Sequence, residues 1–174
     1  MWKISLVGHS QVPKELHFPN TEIKIFRAPG GKAQFFNENE VMNKVLNWEH
    51  DLCIVWLGSN DITSDADPEE IFNFIKEICH AIERDCQAEV YVCQVEPRRQ
   101  PRGLSHDQYK KIQCGINNRI KKRLHFRNIH FNNQLFMDEL RSDGVHWNAE
   151  GQKHVEAKFR KVIKGFIGED DPNE

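Results

Sequence analysis

No run of apolar residues in this chain approaches the ~20 that a membrane-spanning helix needs. The first apolar stretch, Met1 to Val7, is too short for the core of a secretory signal and is cut off by Gly8-His9-Ser10. Cysteine is sparse: five residues (Cys53, Cys79, Cys86, Cys93, Cys114) with no C-x-x-C pair. An odd number, three of them in apolar or strand-like runs, reads as reduced thiols in a cytosolic or nuclear protein and argues against a zinc site. Neither sign of charge dominates, the formal net charge being −2, so no overall field draws nucleic acid or acidic lipid. His17, His50, His80, His106, His125, His130 and His154 show no ligand-like spacing, and no segment repeats. These absences exclude a membrane span, a disulfide-stapled module and a histidine-rich metal centre. The 174 residues form one domain, long enough to bury roughly 70% of the unfolded chain's surface.

Five short runs rich in β-branched and aromatic residues read as buried strands: Trp2–Val7, Glu22–Arg27, Leu52–Leu57, Glu89–Val95 and Asn128–Asn132. Helical segments alternate with them at Asn39–Trp48, Pro68–Asp85, Ser105–Leu124 and Ala149–Ile167. The second is best defined. Asp67 is a good N-cap, Pro68 fits the first helical position, Glu70 completes a capping-box-like pair, and Ile71, Phe74, Ile75, Ile78 and Ile82 form one apolar stripe. Alternation with short links predicts an α/β fold with a parallel sheet covered on both faces. Residues 1–167 make up the domain, and 168–174 are expected to be an acidic disordered tail. The stretch from Glu96 to Gly103, with Arg98, Arg99 and Arg102, follows a strand and is expected on the rim of the site.

Residues able to do chemistry cluster at the ends of these strands, which in an open α/β sheet converge on one crevice. Ser10 follows the first. A serine hydroxyl needs a base to take its proton. His146 is the candidate, with Asp143 three residues earlier to hold the other ring nitrogen. Acyl transfer also needs donors for the developing oxyanion. Gly30-Gly31 after the second strand and Asn60 after the third can supply them. The block Gly8-His9-Ser10-Gln11-Val12 lacks the last glycine of G-x-S-x-G, and only nine residues precede Ser10, which excludes an α/β-hydrolase.

These blocks resemble those of the SGNH (GDSL-type) hydrolases from Ile4 to about Phe166. The serine block corresponds to Gly8-His9-Ser10, the glycine block to Pro29-Gly30-Gly31, the asparagine block to Gly58-Ser59-Asn60-Asp61, and the final block to Asp143-Gly144-Val145-His146 with Asn148 and Gly151. The resemblance implies a three-layer α/β/α sandwich around a five-stranded, mostly parallel, flavodoxin-like sheet. It implies hydrolysis of small-molecule or lipid carboxylic esters without metal or cofactor. Ser10, His146 and Asp143 would be the triad, and Ser10, Gly31 and Asn60 the oxyanion hole, with Gly30 the alternative register for Gly31. Val95-Glu96-Pro97-Arg98, Asn117-Asn118 and the Asp-Gly-Val-His ending are most similar to compact SGNH domains of animal retroelement-type proteins.

One residue departs from the family pattern. His9 stands where an aspartate usually precedes the nucleophile and helps organise its turn. If His9 is a weaker stand-in, His9→Asp should raise turnover; if it serves substrate contact or a pH switch, the same change should lower it. The first outcome is favoured, since His146 already supplies the base. The competing function is an SGNH-fold module with weakened catalysis that binds protein or RNA, the basic cluster Arg119, Lys121, Lys122, Arg123 and Arg127 touching phosphates.

Overall fold

A period of two sorts the strand side chains in this computed structural model, which describes residues 1–131 and 140–168. In β1 (Trp2–Gly8), Ile4 and Leu6 join one core cluster and Val7 the other. In β3 (Leu52–Trp56), Leu52, Ile54 and Trp56 part from Cys53 and Val55 in the same way. All of these are buried, so the middle of the sheet meets solvent on neither face, as a covered parallel sheet requires. With β2 (Thr21–Arg27), β4 (Glu89–Cys93) and β5 (Arg127–Ile129) the sheet has five strands, all parallel, in the order β2-β1-β3-β4-β5.

Helices α1 (Glu40–Leu46), α2 (Pro68–Cys86) and α3 (His106–Arg123) bring Met42, Ile75, Ile78 and Ile116 onto the face that carries Val7, Val55 and Val92. Helix α4 (Ala149–Ile167) lays Val155, Phe159 and Ile163 on the opposite face against Ile54, Trp56 and Cys93. The expected three-layer α/β/α sandwich is therefore the fold. Among the described residues no helix is long and apolar enough to cross a membrane.

Local differences from the sequence reading have identifiable causes. Strand β4 stops at Cys93 rather than Val95, because the Asn117 side chain takes both the Val95 N–H (2.7 Å) and its carbonyl (3.0 Å) away from the ladder. In α2 the buried stripe runs through Phe72, while Phe74 is only half-buried at its edge. The Asp67 cap accepts from the Glu69 N–H. The reciprocal capping box is found on α3 instead, between Ser105 and Gln108. Asn132 and the acidic residues after Gly168 lie outside the described residues.

The strand order has a functional consequence. The chain leaves β1 for β2 on one side, and β3 then pairs with the other side of β1. The seam between β1 and β3 is thus the topological switch point, where the carboxyl ends of the strands open a crevice. Ser10 follows β1 directly, and a short 3₁₀ turn, Ser59–Asp61, follows β3.

Candidate active site

A chain of hydrogen bonds runs from Ser10 at this crevice to the loop before α4. The Ser10 Oγ lies 3.4 Å from His146 Nε2, and His146 Nδ1 lies 2.7 Å from Asp143 Oδ2. The other carboxylate oxygen of Asp143 accepts the backbone N–H groups of Val145 (2.9 Å) and His146 (3.0 Å). Burial works to raise the Asp143 carboxyl, but the bond from His146 and the two backbone donors outweigh it and hold the group well below the usual carboxylate range. An ionised Asp143 keeps the imidazole proton on Nδ1 and turns the Nε2 lone pair toward Ser10. At 3.4 Å the Ser10–His146 contact is a long hydrogen bond, of the kind that shortens when a site closes around substrate.

Several contacts fix the loop that carries His146. Leu140 and Trp147 form an antiparallel bridge, and Asn148 caps α4 by accepting from the Gly151 N–H at 2.9 Å. The Gln11 side chain donates to the Val145 carbonyl (2.5 Å), tying the residue after Ser10 to the residue before His146. The arginine-rich stretch docks on the same loop, with the N–H groups of Arg99 (2.8 Å) and Gln100 (3.2 Å) both donating to the Gly144 carbonyl. Gly144 has φ +66°, and a Cβ there would stand 2.6 Å from the Gln100 nitrogen. Gly144→Ala is therefore expected to cost about 1–3 kcal/mol. It should also lower kcat by loosening His146. Urea denaturation read beside kcat on a test ester checks this, and an unchanged midpoint would show that the docking does not hold the loop.

The two glycines have different roles. Ala28-Pro29-Gly30-Gly31 forms a turn closed by a bond from the Gly31 N–H to the Ala28 carbonyl (2.7 Å), with Pro29 at its second position and Gly30 at φ +72° at its third. The Gly31 N–H is thereby committed, whereas the N–H groups of Gly30 and Ser10 bond to no described residue. The Gly31 carbonyl accepts from the Asn60 side-chain nitrogen at 3.0 Å, and the Asn60 oxygen accepts from Arg98 at 2.7 Å. These bonds fix which way the Asn60 amide faces and leave its second N–H to give. Asp61 joins the glycine and asparagine blocks by accepting from the Ala33 (2.8 Å) and Gln34 (3.0 Å) N–H groups.

Sequence reasoning missed a buried polar network beneath Ser10. Glu96, expected on the rim of the site, is fully buried. It accepts from the Trp56 indole (2.9 Å) and faces His9 Nε2 at 3.4 Å. Burial alone would raise its carboxyl; neighbouring His9 and then Arg98 reverse this and hold it down at about 2. His9 is itself fully buried. Its Nδ1 accepts from the Gln11 N–H (3.1 Å), which puts the proton on Nε2, toward Glu96 and the Ser59 hydroxyl (3.2 Å). Arg98 completes the set with a bond to Ser59 (2.9 Å) and lies over the Tyr109 ring. His9 is thus the partner of a buried acid rather than a second base. The signal for Glu96 was its place directly after a strand, masked by the prolines and arginines that follow it.

The basic cluster does not present one face. Arg119 and Arg123 both bind Glu69, each at 2.7 Å, and so join α3 to α2. Arg127 donates to the Tyr91 hydroxyl at 2.9 Å, which leaves Lys121 and Lys122 exposed on α3. Among the described residues no three His, Cys, Asp or Glu side chains are grouped as a metal would require.

No protein-family model and no curated protein matches the chain. Solved structures do. A lipase/acylhydrolase from Enterococcus faecalis superposes with a TM-score of 0.70 at 17% identity, over 95% of this chain and 96% of its own. A carbohydrate esterase family 3 protein from Talaromyces cellulolyticus gives 0.73 at 16% identity, over 98% and 100%. A member of the lipolytic G-D-S-L family from Veillonella parvula gives 0.69 at 14%, over 94% and 99%. Likeness at such low identity speaks for the fold, and the fold is the one the sequence blocks imply.

Proposed function

We propose that this chain, which has the fold of the SGNH hydrolases, is a serine esterase that cleaves carboxylic esters through an acyl-enzyme on Ser10. The hydrogen-bond chain Ser10–His146–Asp143 at the switch point carries the reading. His146 Nε2 takes the Ser10 proton as Oγ attacks the ester carbon, and Asp143 steadies the imidazolium that forms. The negative charge that develops on the carbonyl oxygen meets three donors: the Ser10 N–H, the free N–H of Asn60 and the Gly30 N–H. Gly31, the first choice from sequence, contributes its carbonyl to hold Asn60. His146 then returns the proton to the departing alcohol, and water repeats the cycle to release the acid.

Reaction with a fluorophosphonate probe, followed by mapping of the labelled residue, tests the reading. Ser10 should carry the label; labelling elsewhere, or none on folded protein, would overturn it. Asn60→Ala should lower kcat by a factor on the order of 10²–10³, about 3 kcal/mol, with little change in KM, because the donor acts on charge present only in the transition state. A change confined to KM would move Asn60 out of the oxyanion hole and into ground-state binding.

A further inference from the structure

We propose that the pocket beside Ser10 is a subsite for an anionic group, a carboxylate or phosphate, on the leaving alcohol of the substrate. This rests on the esterase reading and adds the class of ester. The pocket, about 230 Å³, is bordered by Ser10 and His146 and lined by Lys14, Arg27 and Arg141, with no aspartate or glutamate among the described residues of its wall. The chain as a whole has slightly more acidic than basic residues, so three cations and no acid on one small wall is a local feature. None of the three forms an ion pair with a described carboxylate. Arg27 donates to the Ser10 carbonyl (2.7 Å), and its buried Nε has no partner. Arg141 donates to the Trp147 carbonyl (2.9 Å), and Lys14 stands exposed at the mouth. Most of their N–H groups thus have no acceptor among the described residues.

The side of the site assigns the group to the alcohol. Asn60, Gly30 and Gly31, the oxyanion side, do not line this pocket; His146 does. As the bond between Ser10 Oγ and the acyl carbon forms and the bond from that carbon to the alcohol oxygen breaks, the proton taken from Ser10 must pass from His146 to that oxygen. The alcohol therefore leaves against His146, toward Lys14, Arg27 and Arg141. A carboxylate or phosphate there meets charge-assisted donors in a partly desolvated wall.

The test compares acetate esters that differ in leaving-group charge: methyl 4-acetoxybenzoate (neutral), 4-acetoxybenzoate and 4-acetoxyphenyl phosphate, each rate divided by that ester's alkaline hydrolysis rate. The wild type should favour the anions in kcat/KM by roughly tenfold or more. The preference should lie in KM and shrink as salt is raised. Whichever anion is favoured identifies the natural group as carboxylate or phosphate. In Lys14→Gln/Arg141→Gln the ratio should fall toward one, and Arg141→Lys should keep most of it. A wild-type ratio near one would overturn the proposal. So would a preference seen only when the charge is on the acyl side, in mono(4-nitrophenyl) terephthalate against its methyl ester. If no ester is cleaved, the esterase reading fails and calorimetry decides the subsite separately. Salt-sensitive binding of 4-hydroxybenzoate but not its methyl ester, lost in the double variant, supports it; no binding overturns it.

Discussion

Ser10→Ala and His146→Ala should each lower kcat on an activated acetate ester by a factor on the order of 10⁴ or more, with circular dichroism and the thermal midpoint unchanged. Both side chains stand at the edge of the crevice, outside the two core clusters, so neither truncation opens a cavity in the sheet. The double variant should be hardly worse than either single one, because the two groups act as one device: a hydroxyl without its base is as inert as a base without its hydroxyl. Residual turnover would come from the oxyanion donors, which neither change removes. Single-turnover kinetics on the three variants check the expectation. Effects that add would mean that Ser10 and His146 do not work on the same step.

His9→Asp is expected to destabilise the fold by about 1–3 kcal/mol, the cost of taking a hydrogen-bond donor away from buried polar groups. This reverses the expectation that an aspartate would repair the serine turn. His9 is fully buried with Glu96 3.4 Å away, and a shorter acid there takes the imidazole N–H from Glu96 and the Ser59 hydroxyl, leaving them only Trp56 and Arg98, and puts a second carboxylate beside the first. Two buried like charges raise the proton affinity of one of them. The folded variant would then bind more protons than its unfolded chain, so its stability falls as pH rises through that raised value. The wild type runs the other way. Glu96, held at about 2, contributes stability that is full above the ordinary carboxylate range and is lost as pH falls toward 2. Urea denaturation across acid and neutral pH measures both slopes. His9→Asp/Glu96→Gln should recover part of the loss, because it removes one of the two carboxylates. A stability equal to or above wild type in the single variant would reinstate the simpler view of His9.

Much of this was legible in the chain. Strands announced themselves by apolar runs closed with turn residues, Ser10 and Asn60 by standing just after them, and Asp143 and His146 by their three-residue spacing before the last helix. That reading placed Ser10, Asn60, Asp143 and His146 at one sheet edge before any side-chain geometry was known. The choice between Gly30 and Gly31 was legible in principle: a Pro-Gly pair sets a type II turn whose fourth N–H points inward, which withdraws Gly31. Glu96 and Arg98 were harder. A charge after a strand is most often exposed, and only the tertiary fold, by stacking Trp56, His9 and Tyr109 around that spot, makes burial of an acid tolerable. The end of β4 was hidden for the same reason, since Asn117 competes for Val95 from a helix more than twenty residues away.

The bond between Ser10 and His146 spans 136 residues. Its partners come from the turn after the first strand and from the loop before the last helix, which the Gln11–Val145 bond joins and which Val12 and Trp147 extend into one apolar cluster. Contacts of such long sequence separation are costly to close. A local opening that frees α4 and its preceding loop would part the nucleophile from its base while the β1–β3 seam stayed paired. On the proposed reading, turnover would be a gauge of whether the two ends of the chain have met, switching on only when the circuit of the fold is closed.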